Sequence, residues 1–206
     1  IEKRNGKYYW YFSEANINIG VVVAENPKGP WLDPLGAPLI EEKLTSTKEY
    51  DVGIFEDING DFFIVFGIWD YYIAKLNEDM ISLAEKPKKI NIDNPRGPYN
   101  LCGTRKEKTT DDKPFIHYYN KKYYLSWGCF YAMSDSLYGP YDFKGSIIES
   151  ESFSHGYDSP TWPNGFKQGR HGSFFNWHNQ SYFAYCDMSQ TCLLYTSPSP
   201  RDCLLS

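Results

Sequence analysis

The sequence has no long apolar run and no extended cluster of basic residues. No stretch of its 206 residues approaches the roughly 18 consecutive apolar positions that a membrane-spanning helix needs, so a membrane partner is not expected. The densest basic run is Lys86-Pro87-Lys88-Lys89, and the net charge is −5. Because nucleic-acid binding depends on neutralising phosphates with Lys and Arg, nucleic acid is not expected as a partner either.

Cysteine pairs with metal-binding or redox spacing are also lacking. None of the five cysteines shows CxxC spacing, so neither a zinc site nor a redox pair is indicated. The first residue is Ile1 rather than methionine, so we expect an upstream region to be missing. The cellular location is therefore left open between secreted, periplasmic and cytoplasmic, and the sequence does not indicate an oligomeric state.

The last fifteen residues differ in character from the rest of the chain. Residues 192–206 read CLLYTSPSPRDCLLS, in which CLL returns after 11 residues. This segment resembles the translation of a sequencing adapter, and we expect it to lie outside the fold. The alternative is a flexible linker rich in Ser and Pro. Residues 1–191 are left as the folded part.

The sequence is instead rich in aromatic residues, at 18%, and it contains 16 glycines and 13 prolines, which favour turns. One unit occurs four times, a turn that begins with Asn and is followed by an aromatic, β-branched run. Asn-Gly between two apolar runs is typical of a β-hairpin, and such runs favour strands. The four copies are NGKYYWYF at 5–12, NGDFFIVF at 59–66, NKKYYLSW at 120–127 and NQSYFAY at 179–185.

The spacing of this unit indicates the fold. The second turn positions are residues 6, 60, 121 and 180, so the unit repeats after 54, 61 and 59 residues. A repeat of this length with about four strands is typical of a β-propeller blade. A second shared segment supports the repeat, AENPKGPW at 24–31 and MSDSLYGPY at 133–141. We predict an all-β chain with about four propeller blades, and a generic β-sandwich is the alternative.

Three of the four units carry an ionisable residue at one offset before the turn. Nine residues before the second turn position lie Asp51, Asp112 and His171, and the fourth such position falls four places before Ile1. The strand before each turn should be the inner strand along the central channel, so the three side chains should face one axis. Carboxylates gathered in a partly desolvated channel perturb one another's pKa values, which is typical of a catalytic site.

These motifs resemble glycoside hydrolase family 43, whose members are five-bladed β-propellers that cleave xylose- and arabinose-containing glycans with inversion. YDVGIFEDING at 50–60 is similar to the strand that carries a pKa-tuning Asp, and the resemblance gives that role to Asp51. DKPFIH at 112–117 is similar to the strand that carries the general acid, so Asp112 stands where the family usually has Glu.

The resemblance extends to the fourth unit. RHGSFF at 170–175 is similar to a segment whose His lies at the channel and often helps to hold a metal ion, usually calcium, so it implies a possible structural calcium at His171. It implies no required cofactor. It also puts the general base upstream of Ile1, so residues 1–191 alone are expected to be inactive.

The aspartate at the acid position is a departure from the family pattern. Aspartate is one methylene shorter than glutamate, so a proton on Asp112 would lie about 1.5 Å further back. Either the substrate binds deeper, or Asp112 is not the acid. Among its neighbours, Asp111 should point the opposite way on a strand, and Glu107 could act only from a loop.

The resemblance implies inverting hydrolysis of an oligosaccharide or polysaccharide. One carboxylic acid protonates the leaving oxygen while a carboxylate roughly 6.5–9.5 Å away activates water on the opposite face. Aromatic side chains often stack on sugar rings, and the candidates are Trp69, Phe115 and Trp162. The alternative is a propeller that binds glycans without cleaving them, with Asp112 as a degenerate acid. Ionisable channel residues argue against a protein-interaction propeller.

Overall fold

The structure is a computed structural model, and it describes residues 1–95, 110–128, 130–147, 170–178 and 180–186. These residues form fourteen β-strands and no helix, so they contain no helix that could cross a membrane. The strands are β1 (Glu2–Arg4), β2 (Lys7–Glu14), β3 (Asn18–Ala24), β4 (Gly53–Glu56), β5 (Phe62–Phe66), β6 (Tyr72–Lys75), β7 (Lys88–Lys89), β8 (Ile92–Asp93), β9 (Phe115–Tyr119), β10 (Lys122–Trp127), β11 (Phe130–Ser134), β12 (Tyr141–Ser146), β13 (Arg170–Trp177) and β14 (Gln180–Cys186).

The strands form four sheets that follow one another along the chain. Their strand orders are β1-β2-β3, β4-β5-β6-β7, β8-β12-β11-β10-β9 and β13-β14. Consecutive strands within each sheet pair antiparallel, and the short strand β8 adds a parallel pair with β12 at the edge of the third sheet. Antiparallel meanders of this size are the units from which propellers are built, and the all-β prediction is confirmed.

Two of the predicted hairpins have two-residue turns. Asn5 and Gly6 connect β1 to β2, and Asn120 and Lys121 connect β9 to β10. All four residues have positive φ, between 48° and 80°. Asn and Gly tolerate this conformation at low cost, which explains why the Asn-containing pairs mark these turns in the sequence.

The other two hairpins differ from the prediction. In the second sheet the amide of Asp57 donates to the carbonyl of Asp61 at 2.8 Å, which closes a three-residue loop ending at Gly60, with φ 75°. In the fourth sheet Trp177 pairs with Gln180, so Gln180 lies in strand β14 and not in the turn that the sequence predicted. The second loop is therefore one residue longer than the other three, and the fourth begins one residue earlier than the sequence predicted.

Two apolar cores lie between successive sheets, and strand β5 contributes to both. Its five residues are all buried, as the run FFIVF predicts for a strand covered on two faces. Phe62, Ile64 and Phe66 pack towards the first sheet with Tyr11, and Phe63 and Val65 pack towards the third sheet, where Trp127 is fully buried. The second sheet is thus enclosed by its two neighbours.

The strands that begin the antiparallel meanders of the second, third and fourth sheets lie side by side. Strand β4 contacts β9, and β9 contacts β13. The approach of β4 to β9 requires glycine at position 53, because a Cβ there would lie 2.9 Å from the carbonyl oxygen of Pro114 and 3.2 Å from Cδ2 of Phe115. This is the arrangement expected of strands that line a common channel.

The second and third sheets are also joined at their outer edge by Glu85, Lys88 and Tyr138. The Tyr138 hydroxyl donates to Glu85 Oε1 at 2.5 Å, and Lys88 Nζ donates to Glu85 Oε2 at 2.5 Å. The Lys88 ammonium lies 4.3 Å from the centre of the Tyr138 ring. Partial burial raises the pKa of Glu85, but hydrogen bonds from Lys88, Tyr138 and the Lys75 amide outweigh it, so this pKa lies below its usual value.

Glu85 should therefore make stability depend on pH in the acid range. Because the folded pKa lies below 4.5, its contribution is present above that pH and is lost as the pH falls through the folded pKa. We expect Glu85→Gln to lower the free energy of unfolding by up to about 1 kcal/mol at pH 7 and by less near pH 3. Urea unfolding at both pH values measures this, with the exposed neighbour Lys86→Gln as control. An equal loss at both pH values would contradict it.

Candidate active site

The segment that carries Asp112 is attached to the second sheet by hydrogen bonds. The Tyr71 hydroxyl donates to the carbonyl of Asp111 at 2.6 Å and accepts from the Asp111 amide at 3.2 Å. The Thr110 hydroxyl donates to the carbonyl of Trp69 at 2.6 Å. Burial raises the pKa of Tyr71 well above its usual value, so its hydroxyl stays neutral and able to donate. The backbone beside Asp112 is thereby held in place.

The two adjacent aspartates lie in different surroundings. Asp111 is 1% exposed, and a Cβ at position 128 would lie 3.0 Å from its Oδ2, so its side chain packs beside Gly128. Asp112 is half-buried. Asp111 is therefore shielded from solvent, and Asp112 is the more accessible member of the pair. Glu107 lies outside the described residues.

Asp51 directly precedes the second sheet, in a strained backbone conformation. Its φ is 57°, in the left-handed region, and its amide donates to the Ser13 hydroxyl of the first sheet at 2.8 Å. Next to it, the Tyr50 carbonyl accepts from the Gly67 amide at 3.0 Å. Such a conformation costs about 1–3 kcal/mol in a residue other than glycine, and it occurs often at functional sites.

A buried carboxylate orders the loop that leads to Asp51. Glu49 is 1% exposed, and it accepts hydrogen bonds from the amides of Lys43 and Thr45 and from the Thr45 hydroxyl, at 2.7–3.2 Å. The Thr47 hydroxyl donates to the Ile68 carbonyl at 2.9 Å and accepts from the Ile68 amide at 3.1 Å. The loop before Asp51 is thus joined to the loop that carries Trp69.

Lys113 joins the segments that carry Asp51 and Asp112. Its Nζ donates to the carbonyl of Val52 at 2.5 Å, and Val52 is the residue after Asp51, as Lys113 is the residue after Asp112. Burial lowers the pKa of Lys113, while Asp51 and, less strongly, Asp112 raise it. The sequence analysis missed Lys113. The available signal was a lysine directly after the candidate acid and directly before Pro114.

The strand pairing does not place Asp51 and Asp112 at equivalent positions, although both lie nine residues before the second turn position of their unit. Strands β5 and β10 are each followed by a glycine, Gly67 and Gly128, with positive φ values of 119° and 52°. Gly53 pairs with Val65, two residues before the glycine that follows β5. Asp51 lies two residues before Gly53.

In the third sheet Phe115 pairs with Ser126, again two residues before the glycine that follows its strand, Gly128. Two residues before Phe115 lies Lys113, with φ 56° against 57° at Asp51. The position equivalent to Asp51 is therefore Lys113, and Asp112 lies one residue before it in the sequence. The prediction of strict equivalence is wrong because the second hairpin has one more loop residue than the third. Asp51 and Asp112 both nevertheless interact with Lys113.

The aromatic candidates fall in different places. Trp69 is half-buried with φ 66°, and its amide donates to the Asp111 carbonyl at 3.4 Å, so it lies beside the segment of Asp112. Phe115 is half-buried in β9 and packs against Gly53. Trp162 lies outside the described residues.

The predicted metal ligand, His171, belongs to strand β13. Its side chain lies outside what the structure describes. Within the described ranges, no group of three or more His, Cys, Asp and Glu side chains could hold a metal ion.

The sequence of this chain is similar to those of known proteins. The chain matches the family model of glycosyl hydrolases family 43 over residues 1–197. It is 28% identical to a xylosidase/arabinosidase of Bacteroides ovatus over 183 residues, which cover 70% of this chain and 54% of the relative. It is 27% identical to an arabinoxylan arabinofuranohydrolase of Paenibacillus polymyxa, with 89% of this chain and 31% of that protein covered. The chain thus spans about half or less of these relatives.

Solved structures show the same fold. An α-L-arabinofuranosidase from Clostridium thermocellum matches with a TM-score of 0.67 and 25% identity, covering 90% of this chain and 59% of that chain. A β-xylosidase/α-arabinofuranosidase from a compost microbial metagenome, described as a calcium-free form in complex with xylotriose, matches with a TM-score of 0.66 and 27% identity. The match covers 91% of this chain and 63% of that chain. These neighbours are five-bladed β-propellers, which confirms the predicted fold class.

Proposed function

The chain belongs to glycosyl hydrolases family 43, and from this premise we propose that the protein hydrolyses O-glycosidic bonds in xylose- or arabinose-containing glycans with inversion. The observation that carries the proposal is the hydrogen bond from Lys113 to Val52, which joins the segment of Asp112 to the segment of Asp51 where β4 and β9 meet. The xylosidases and arabinofuranosidases among the relatives support the substrate class.

Asp112 is the proposed general acid. It would protonate the leaving oxygen as the bond to the anomeric carbon breaks, while water, activated by a carboxylate on the other face, forms the new bond. Asp51 is the proposed pKa modulator, because a second negative charge nearby makes Asp112 hold its proton more strongly. The role of the base is assigned to no residue of this chain.

The short side chain at the acid position is compatible with this role if the backbone is rigid. The hydrogen bonds between Tyr71 and Asp111 hold the residue next to Asp112. A short acid on a fixed backbone needs a sugar that binds about 1.5 Å deeper than one served by glutamate. Precise placement of this kind contributes strongly to rate, since small displacements of a reacting group are costly.

Trp69 is the aromatic residue that the geometry favours for stacking on a sugar, since it lies beside the segment of Asp112. Phe115 and Trp162 are kept as secondary candidates. The proposed reaction needs no cofactor, because carboxyl groups make both proton transfers. A calcium ion at His171 would be structural, and it too is a proposal.

The stereochemistry of the product tests this function in the full-length protein, meaning a protein that contains this chain at the length of its relatives. We expect proton NMR to show the anomer of inverted configuration as the first product from 4-nitrophenyl β-D-xylopyranoside or α-L-arabinofuranoside. A retained configuration would contradict the inverting mechanism. Binding of xylan without hydrolysis of any of these glycans would favour the glycan-binding alternative.

A further inference from the structure

We propose that Lys113 is a positioning residue that sets the charge of the Asp51–Asp112 pair, and thereby the pH range over which Asp112 holds its proton. The inference rests on the proposed function and extends it to a residue with no role in the mechanism above. Lys113 would act through the two carboxylates and would not itself touch the substrate.

The geometry of Lys113 is specific. Its backbone has φ 56°, a conformation that costs a residue with a Cβ about 1–3 kcal/mol and that persists only where the surroundings enforce it. Its side chain crosses from the third sheet to the second, where Nζ donates to the Val52 carbonyl at 2.5 Å. The ammonium is thus bound to the peptide group that follows Asp51, while its own backbone adjoins Asp112. One cation therefore lies where the segments of Asp51 and Asp112 meet.

The charge of the pair depends on this cation. With both carboxylates ionised, the three groups carry a net charge of −1, and without the ammonium they would carry −2. An opposite charge within about 4–6 Å lowers a carboxyl pKa by about 1–3 units, whereas a like charge raises it. Lys113 and Asp51 therefore act on Asp112 in opposite directions.

Two observations favour the charged form of Lys113. Its Nζ donates to the Val52 carbonyl, and an aspartate lies in each of the two segments that this bond joins. Burial lowers the pKa of Lys113, and Asp51 and Asp112 counteract this. Two further titratable groups belong to this region, Asp111, which is buried on the segment of Lys113, and Tyr71 of the second sheet, whose hydroxyl is bound to Asp111.

Removing the charge should shift the pH profile of the full-length protein. In Lys113→Met, Asp112 should keep its proton to higher pH, so the alkaline limb of kcat/KM should move up by roughly one pH unit. Lys113→Gly should move the limb in the same direction, and it also relieves the backbone strain. Lys113→Arg retains the charge and should keep the limb near its wild-type position. The substrate is xylobiose or an arabinofuranosyl xylo-oligosaccharide, whose sugar leaving group needs the proton of Asp112.

The outcomes distinguish an effect of the Lys113 charge from an effect of its backbone strain, and both from a failure of the proposed function. If the Met and Gly variants keep the wild-type limb, or if Arg shifts it as far as Met does, the proposal is overturned. If the wild-type protein hydrolyses neither glycoside, the proposed function has failed. Carboxyl-carbon NMR titration then tests Lys113 independently, and it should show the apparent pKa values of the Asp51–Asp112 pair rising in Lys113→Met.

A measurement on the wild-type protein covers the case in which the variants do not fold. NMR titration of the lysine ε-methylene groups should show Lys113 titrating below the surface lysines, with a second inflection where the neighbouring carboxylates titrate. A Lys113 signal that titrates with the surface lysines and senses no carboxylate would overturn the proposal.

Discussion

Replacing Asp112 with asparagine should reduce kcat/KM for xylosides or arabinosides by about 10²–10⁴-fold, the range that general acid catalysis contributes. The amide has nearly the same shape as the carboxyl group but cannot supply the proton that the leaving oxygen requires. The variant should remain folded, because Asp112 is half-buried and the adjacent Asp111, not Asp112, holds the segment to Tyr71. Steady-state kinetics of the full-length protein measure the effect.

The leaving group provides an internal test of this role. An aryl leaving group of low pKa needs little protonation, so Asp112→Asn should impair hydrolysis of a dinitrophenyl glycoside less than that of xylobiose. Asp142→Asn alters an exposed aspartate of strand β12 and serves as the matched control. Undiminished turnover in Asp112→Asn would rule this residue out as the acid. A gain in turnover in Asp112→Glu would contradict the deeper binding of the sugar.

Truncation of Tyr71 should have the largest effect on stability that we predict. Tyr71 is 1% exposed, and its ring lies 6.0 Å from that of the buried Trp127. Removing a buried aromatic ring leaves a cavity, so Tyr71→Ala should lower the free energy of unfolding by about 3–5 kcal/mol. Tyr71→Phe keeps the ring but removes the two hydrogen bonds that the Tyr71 hydroxyl makes with the Asp111 carbonyl and amide, at a cost of about 1–3 kcal/mol. Denaturant unfolding of the full-length protein measures both.

Tyr71 should also affect the activity of the proposed active site. Since its hydroxyl holds the backbone beside Asp112, Tyr71→Phe should lower kcat as well as stability. Tyr72→Phe is the matched control, because the Tyr72 hydroxyl bonds to Ser46 in an exposed position and its loss should cost less than about 1 kcal/mol. If the two Phe variants are equally stable and equally active, Tyr71 has no special role in holding the acid segment.

Local patterns predicted the strands well, and the reason is visible in β5. Its uninterrupted apolar run FFIVF indicates a strand covered on both faces, and the structure encloses it between two cores. The turns Asn5-Gly6 and Asn120-Lys121 were predicted for the same kind of reason, because positive φ is a property of the turn residues themselves. These features depend on neighbours within a few positions along the chain.

The sequence by itself therefore determined the repeat, the all-β class and the pairing of neighbouring strands. The tertiary structure decided which residues meet. One additional loop residue in the second hairpin shifts the register, so that Lys113 and not Asp112 takes the position equivalent to Asp51. The contact of Lys113 with Val52 joins residues 61 positions apart. Such a contact depends on how two sheets pack and on the absence of a side chain at Gly53, and no local pattern encodes that approach.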